Sequence, residues 1–234
     1  MSSFRLLGEN SNVKLTYETR VDATQKHRVI VSVVFTNLTP YHIKQLDFNV
    51  LDSLNTKLIR GDQCDGVKVP FQLPAGSSNQ GQFAFTVQTI NHPQKLRGTL
   101  TYFIATEDGS TNHDKLDFKL GLPCSAFTLP TPHDRETFAD LLAGGELEYK
   151  NSIKLSSVTG DLRLTLTNIC FFTHFSVVEA VDSSASLYSR SIQDHHLALL
   201  VKTLPNNGVS IDGKSNDPNL LSSVLDEVRT ILLQ

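Results

Sequence analysis

The chain has 234 residues, 39% of them hydrophobic, and a formal net charge of −3 with an isoelectric point near 6.2. That is enough apolar material for one or two cores, and lysines and arginines scattered along the chain argue against a nucleic-acid stripe or an anionic-membrane surface. Cys64, Cys124 and Cys170 are odd in number and far apart, which argues against a disulfide framework and a thiolate zinc site and for a reducing compartment.

The opening MSSFRLLGEN lacks the apolar core of a signal peptide. No segment approaches the roughly 20 apolar residues that span a bilayer, so a soluble chain without direct membrane insertion is expected. From residue 12 to 120 the hydrophobic pattern has a period of two, as in strands with one buried face. Val13, Leu15 and Tyr17 begin it, followed by Val29, Val31, Val33 and Phe35, then by Leu46, Phe48 and Val50. Phe83, Phe85 and Val87, then Leu100, Tyr102 and Ile104, then Leu116 and Phe118 repeat the device. Turn-forming stretches fall at 38–41, 70–78, 91–93 and 107–112. At least six short strands at this spacing predict an antiparallel β-sandwich over 1–122, with no helix. Asn37-Leu38-Thr39 has the form of a glycosylation sequon, discounted because Pro40 follows it and nothing else suggests secretion.

Residues 123–132, PCSAFTLPTP, hold three of the chain's nine prolines. They form a stiff connector, expected to hold the two halves as one rigid body. Over 133–234 the pattern becomes mixed. Thr131 is the expected cap of a short helix with Pro132 at its first position and Asp134 completing a capping-box-like spacing. Phe138, Leu141 and Leu142 form its apolar face, and Gly144-Gly145 ends it. A strand follows over 146–156, with Asn151-Ser152 marking a bulge. Residues 158–172 fit two patterns: Leu162, Leu164 and Leu166 alternate, whereas Leu162, Leu166, Ile169 and Phe172 suit a helix, the expectation adopted. Strands are expected at 175–181, 187–192, 197–201 and 209–211, the last pair joined across Asn207-Gly208. Asp217 caps and Pro218 starts a final helix whose Leu220, Leu221, Val224, Leu225, Val228, Ile231 and Leu232 make one apolar stripe. This half is an α+β platform, a small antiparallel sheet covered by helices.

Asp194-His195-His196 invites a metal or general-base reading. Adjacent residues on an extended segment point to opposite faces and HxxxH spacing is absent, so a hairpin tip is expected, with no metal and no cofactor. There is no GxSxG elbow, phosphate loop or GxGxxG to support an enzyme. Binding fits better, since a sheet-and-helix platform offers grooves that accept one or two side-chain anchors. Tyr188 shares a strand face with Arg190 and suits a recognition rim, or is a plain half-buried sheet tyrosine.

The order of elements resembles the appendage, or ear, domains of clathrin-adaptor large subunits, an immunoglobulin-like sandwich followed by such a platform, over essentially the whole chain. VVFTNLTPYHIKQLDFNV at 33–50 resembles the ear motif of two apolar strands around an Asn and a turn. HFSVVEAVDSSASLYSRSIQDHHLALLVK and GVSIDGKSNDPNLLSSVLDEVRTILLQ are similar to the C-terminus of one particular large subunit of that family. The resemblance implies non-enzymatic docking. Ears hang from the adaptor core and recruit accessory or tethering proteins, here in transport from Golgi or endosomes toward lysosomes and related organelles, on the cytoplasmic face of membranes. The alternative is a regulatory module that packs on another subunit of its own complex to control membrane recruitment.

Ligands of related platforms place an aromatic between a tryptophan and a tyrosine. TFADLLAGGELEY is similar to the family's first platform helix, carries Phe138, and puts Leu142 at the tryptophan position, while Tyr188 in SLYSRS matches the tyrosine. The chain has no tryptophan, and losing an aromatic anchor weakens binding by about one to two decades. A different motif, a folded partner or another subunit is then expected in place of the usual Asp-Pro-Phe ligand. Arg190 is the expected partner of a ligand carboxylate, with the histidines at the far tip of the hairpin.

Overall fold

A computed structural model describes residues 1–62, 65–156, 158 and 161–234. Cys64, and residues 159–160 of the ambiguous stretch, lie outside the described residues. The chain forms two compact units, one made of 1–20, 27–88 and 94–122, the other of 21–26, 89–93 and 123–234.

The first unit is a sandwich with, among the described residues, nine strands: β1 (Arg5–Glu9), β2 (Val13–Arg20), β3 (Arg28–Asn37), β4 (His42–Val50), β5 (Thr56–Leu58), β6 (Val67–Lys68), β7 (Ser78–Val87), β8 (Gln94–Ala105) and β9 (Thr111–Leu122). One sheet has the order β1-β2-β3-β7-β5 and the other β6-β4-β8-β9, with antiparallel neighbours. The order β2-β3-β7-β5 facing β4-β8-β9 is the immunoglobulin arrangement. The alternating residues fill the space between the sheets, where Phe48 stacks on Phe83 at 4.0 Å between ring centroids. Ile43 and Leu46, three residues apart, are both buried because the β4 register shifts between Lys44 and Asp47, where Gln45 takes φ 54°. Strand β1 was not expected; only its Leu7 is buried, so it carries too little alternation to be seen. Asn37 is buried, its amide nitrogen 2.7 Å from the Tyr41 carbonyl and 3.0 Å from that of Leu73, and its oxygen accepts from the Thr39 amide. The sequon-like stretch is a turn clasp.

The second unit comprises β10 (Thr128–Pro130), α1 (Arg135–Ala143), β11 (Tyr149–Leu155), α2 (Leu162–Thr173), β12 (Ser176–Val181), β13 (Ser184–Ser191), β14 (His196–Leu204), β15 (Gly208–Ser215) and α3 (Pro218–Leu232). Its sheet runs β10-β13-β14-β15-β11, and β12 shares the outer edge of β13 with β10. The proline-rich stretch is therefore structured within this unit: 124–127 make a buried 3₁₀ turn and 128–130 a strand. The α-helices α1, α2 and α3 each begin on an aspartate. Asp134, Asp161 and Asp217 accept from the amides of Thr137, Leu164 and Leu220 at 2.8, 2.8 and 2.9 Å. The first cap is thus Asp134 and not Thr131, because Pro132 lies outside the helix.

Residues 162–173 are helical, as the 3.6-residue pattern favoured. Strand β11 pairs with β15 in unbroken register, so Asn151-Ser152 makes no bulge. The turn before β15 uses positive φ at Asn206 and Asn207, leaving Gly208 as its first strand residue. Helix α3 buries Leu220, Leu221, Val224, Leu225, Val228 and Leu232, each worth about 1.5–3 kcal/mol when removed from water. Gly213 permits its close approach, since a Cβ there would lie 2.7 Å from Leu221 Cδ1.

Candidate functional site

Strand alternation sends Leu199 and Ile211 toward α3 and their neighbours to the opposite face. On that opposite face the register aligns three rows. Tyr188, Ala198, Lys214 and Lys150 form one, Ser186, Leu200, Asp212 and Ser152 the next, and Ser184, Lys202, Ser210 and Lys154 the third. Helix α1 covers only part of this face. Its Phe138 packs with Leu147, Tyr188 and Ala198, and Leu141 and Leu142 lie against that cluster. The remainder is an open groove of about 610 Å³, lined by Phe138 and Leu142 on one side, Ala198 and Leu200 below, and Lys150, Ser152, Asp212 and Lys214 opposite.

Leu142 and Phe138 both line this groove, Phe138 from a buried position. Tyr188 does not line the groove. It is 1% exposed, its ring stacked on His133 at 4.3 Å and edge-on to Phe138 at 6.4 Å. Strand β13 is covered on both faces over Leu187–Ser189, and α1 lies across Tyr188. Tyr188 is thus buried more deeply than either of its sequence readings expects, a recognition rim or a half-buried sheet tyrosine. Arg190 is exposed and already has a carboxylate, with Nη2 2.9 Å from Asp194. Lys26 reaches the same carboxylate at 2.6 Å, and its hydrogen bond, reinforced by Arg190, holds Asp194 below the usual carboxylate range.

The histidines are not a remote tip. The Tyr188 hydroxyl and His196 Nδ1 share a hydrogen bond of 2.5 Å, and His196 Nε2 is 3.9 Å from Glu146. Burial pushes His196 below the usual imidazole range, against a weaker upward pull from Glu146, and burial raises the Tyr188 hydroxyl. His195 turns the other way, sharing a 2.8 Å hydrogen bond with Ser191 Oγ and lying 3.7 Å from Asp217. Two rings serving separate neighbourhoods do not converge on one ion.

Ser191, His195 and Asp217 have the residue types of a hydrolytic triad but not its access. Ser191 is 2% exposed, and its Oγ accepts from the amides of His195 and Gln193 at 3.0 and 3.2 Å. Asp217 is committed to the α3 cap. These are turn and cap contacts around a buried serine. Burial also raises the thiols of Cys124 and Cys170, to about 12 and about 11, which leaves both poor nucleophiles.

Residues 125–233 match a family model described as the AP3 Mu C-terminal domain. Over 99% of its length the chain is 48% identical to AP-3 complex subunit delta-1 of Bos taurus. Over 70% of its length it is 28% identical to AP-3 complex subunit delta of Dictyostelium discoideum. The chain spans 19% and 14% of these two proteins. Among solved structures, the yeast GGA1 GAE domain is similar over 51% of this chain and 98% of its own, at 16% identity and a TM-score of 0.39. The GAE domain of GGA2p from Saccharomyces cerevisiae is similar over 51% and 97%, at 15% identity and a TM-score of 0.36. At 48% identity over nearly its whole length to about a fifth of the bovine protein, the chain belongs to the delta-adaptin family.

Proposed function

We propose that the chain is a non-enzymatic docking appendage of a vesicle-coat adaptor, acting in transport from Golgi or endosomes toward lysosomes and lysosome-related organelles. The groove beside α1 captures accessory or tethering proteins through a peptide motif or a folded surface. Family membership supports the adaptor role. The observation that carries the docking site is the uncovered part of the α1 face, where Leu142 and Leu200 remain partly exposed. In this reading 1–122 is a sandwich subdomain, 123–132 its connector and 133–234 the platform. The protein reaches cytoplasmic membrane surfaces through the complex, and no helix among the described residues is long and apolar enough to cross a bilayer.

The test is capture from cytosol by the whole chain. Leu142→Asp should abolish recovery of a direct partner with an unchanged melting temperature, and undiminished recovery would remove the groove from consideration. Tyr188→Ala does not serve this purpose, because it deletes a buried ring. A second reading, packing on another subunit of the complex, is favoured by apolar exposure elsewhere. Val177 and Val181 of β12 are 47% and 52% exposed, and a groove of about 660 Å³ runs between β12 and α2. Val177→Asp with Val181→Asp should then release the chain from the other subunits while capture at the α1 groove persists.

A further inference from the structure

The lysines that look scattered in sequence are assembled by the sheet register. Lys150 stands directly opposite Lys214, and four residues along, on the same face, Lys154 and Lys202 flank Ser210. The three rows beside α1 carry four lysines against one aspartate, Asp212, on a chain whose formal charge is −3. Like charges directly across a strand pair are destabilising. Among the described residues, none of these four ammonium groups lies within ion-pair distance of a carboxylate. Arg190, by contrast, is already matched by Asp194. The two lysine rows are four residues apart along the strands, about 13 Å at the rise of an extended chain. Between them lie half-buried Leu200 and the groove wall formed by Leu142.

Resting on the docking reading above, we propose that the groove's occupant is an acidic segment of a protein partner. Its aliphatic anchor sits against Leu142 and Leu200, and its carboxylates, about four residues apart, face the two lysine rows. An extended segment with acid, aliphatic and acid at alternate positions matches both the spacing and the apolar floor. An anionic membrane fits less well, because the apolar floor is recessed and Asp212 lies between the lysine rows, where a flat sheet of headgroups meets a like charge.

The experiment is fluorescence anisotropy with the whole chain and two labelled peptides. One carries Glu, Leu and Glu at alternate positions between Gly-Ser flanks, and the other replaces both Glu by Gln. The Glu peptide is expected to bind about tenfold more tightly, with an advantage that shrinks in high salt. Lys150→Glu with Lys214→Glu should remove that advantage at an unchanged melting temperature and transfer it to a peptide with Lys in both acidic positions. Equal binding of the Glu and Gln peptides, both lost in Leu142→Asp, would overturn the acidic partner and leave the docking groove standing. Binding of neither peptide would overturn both. Lysine-dependent flotation with phosphatidylcholine–phosphatidylserine vesicles, without a preference for the Glu peptide, would replace the protein partner by a lipid surface.

Discussion

Tyr188 shows how a residue's class and its use part company. An aromatic with a polar tip fits a recognition rim as readily as a core, and the neighbours decide; here they are His133, Phe138 and His196. Tyr188→Ala should cost about 3–5 kcal/mol, as for other large buried aromatics, whereas Tyr188→Phe, which removes only the hydroxyl contact to His196, should cost about 1 kcal/mol. Urea denaturation of the two variants checks both values. His196 makes stability depend on pH. Glu146, Arg190, His133 and Asp194 act on it, but burial dominates and holds the folded ring below its ordinary value. The unfolded chain therefore takes up this proton first as pH falls. The His196 contribution is complete above about 6.5 and is lost as pH falls through the lower folded value. Urea midpoints across this range should fall less steeply for His196→Gln than for the parent chain, and parallel curves would contradict the assignment.

At the scale of elements, the same aspartate cap begins α1, α2 and α3. Asp217 holds the Leu220 amide and also accepts from Asn91 at 3.2 Å. Asp217→Ala should lower stability by about 1 kcal/mol, measured by denaturant unfolding. Gly213 sets how closely α3 approaches β14 and β15. Gly213→Val inserts a branched side chain against Leu221 and Leu199, and should cost about 1–3 kcal/mol by overpacking. A neutral result would mean that α3 can shift outward freely. The helix pattern of α3 was plain in its sequence because one stripe faces one sheet, whereas 158–172 looked ambiguous because its leucines satisfy two periods at once.

Each of the two units is assembled from three stretches of sequence. The second includes short pieces 21–26 and 89–93 from among the sandwich strands. Lys26 reaches Asp194, the Gln193 side chain donates to the Lys26 carbonyl at 3.0 Å, and Asn91 donates to Asp217. A fragment of 123–234 lacks these partners. It should melt several degrees lower than the same unit in the whole chain, since about 1 kcal/mol shifts the midpoint of a domain this size by roughly 4–8 °C. Equal melting temperatures would show the short pieces to be energetically idle.

The sandwich strands, the change of pattern after residue 122 and the α3 stripe were determined by the sequence itself, because period-two and 3.6-residue alternation are local consequences of which face is buried. Even there, the strand β1 edge and the Gln45 bulge escaped, one for want of buried residues and the other because a bulge breaks the period that reveals a strand. The site was legible only in part. The first platform helix with Phe138 and Leu142 could be placed from its pattern and from resemblance, but the depth of Tyr188, the pairing of Arg190 with Asp194 and the contact between Tyr188 and His196 could not. Each depends on which strand lies beside which and on what covers it. The same holds for Lys150, Lys154, Lys202 and Lys214, spread over more than sixty positions and gathered onto one face only by the registers of β11, β14 and β15.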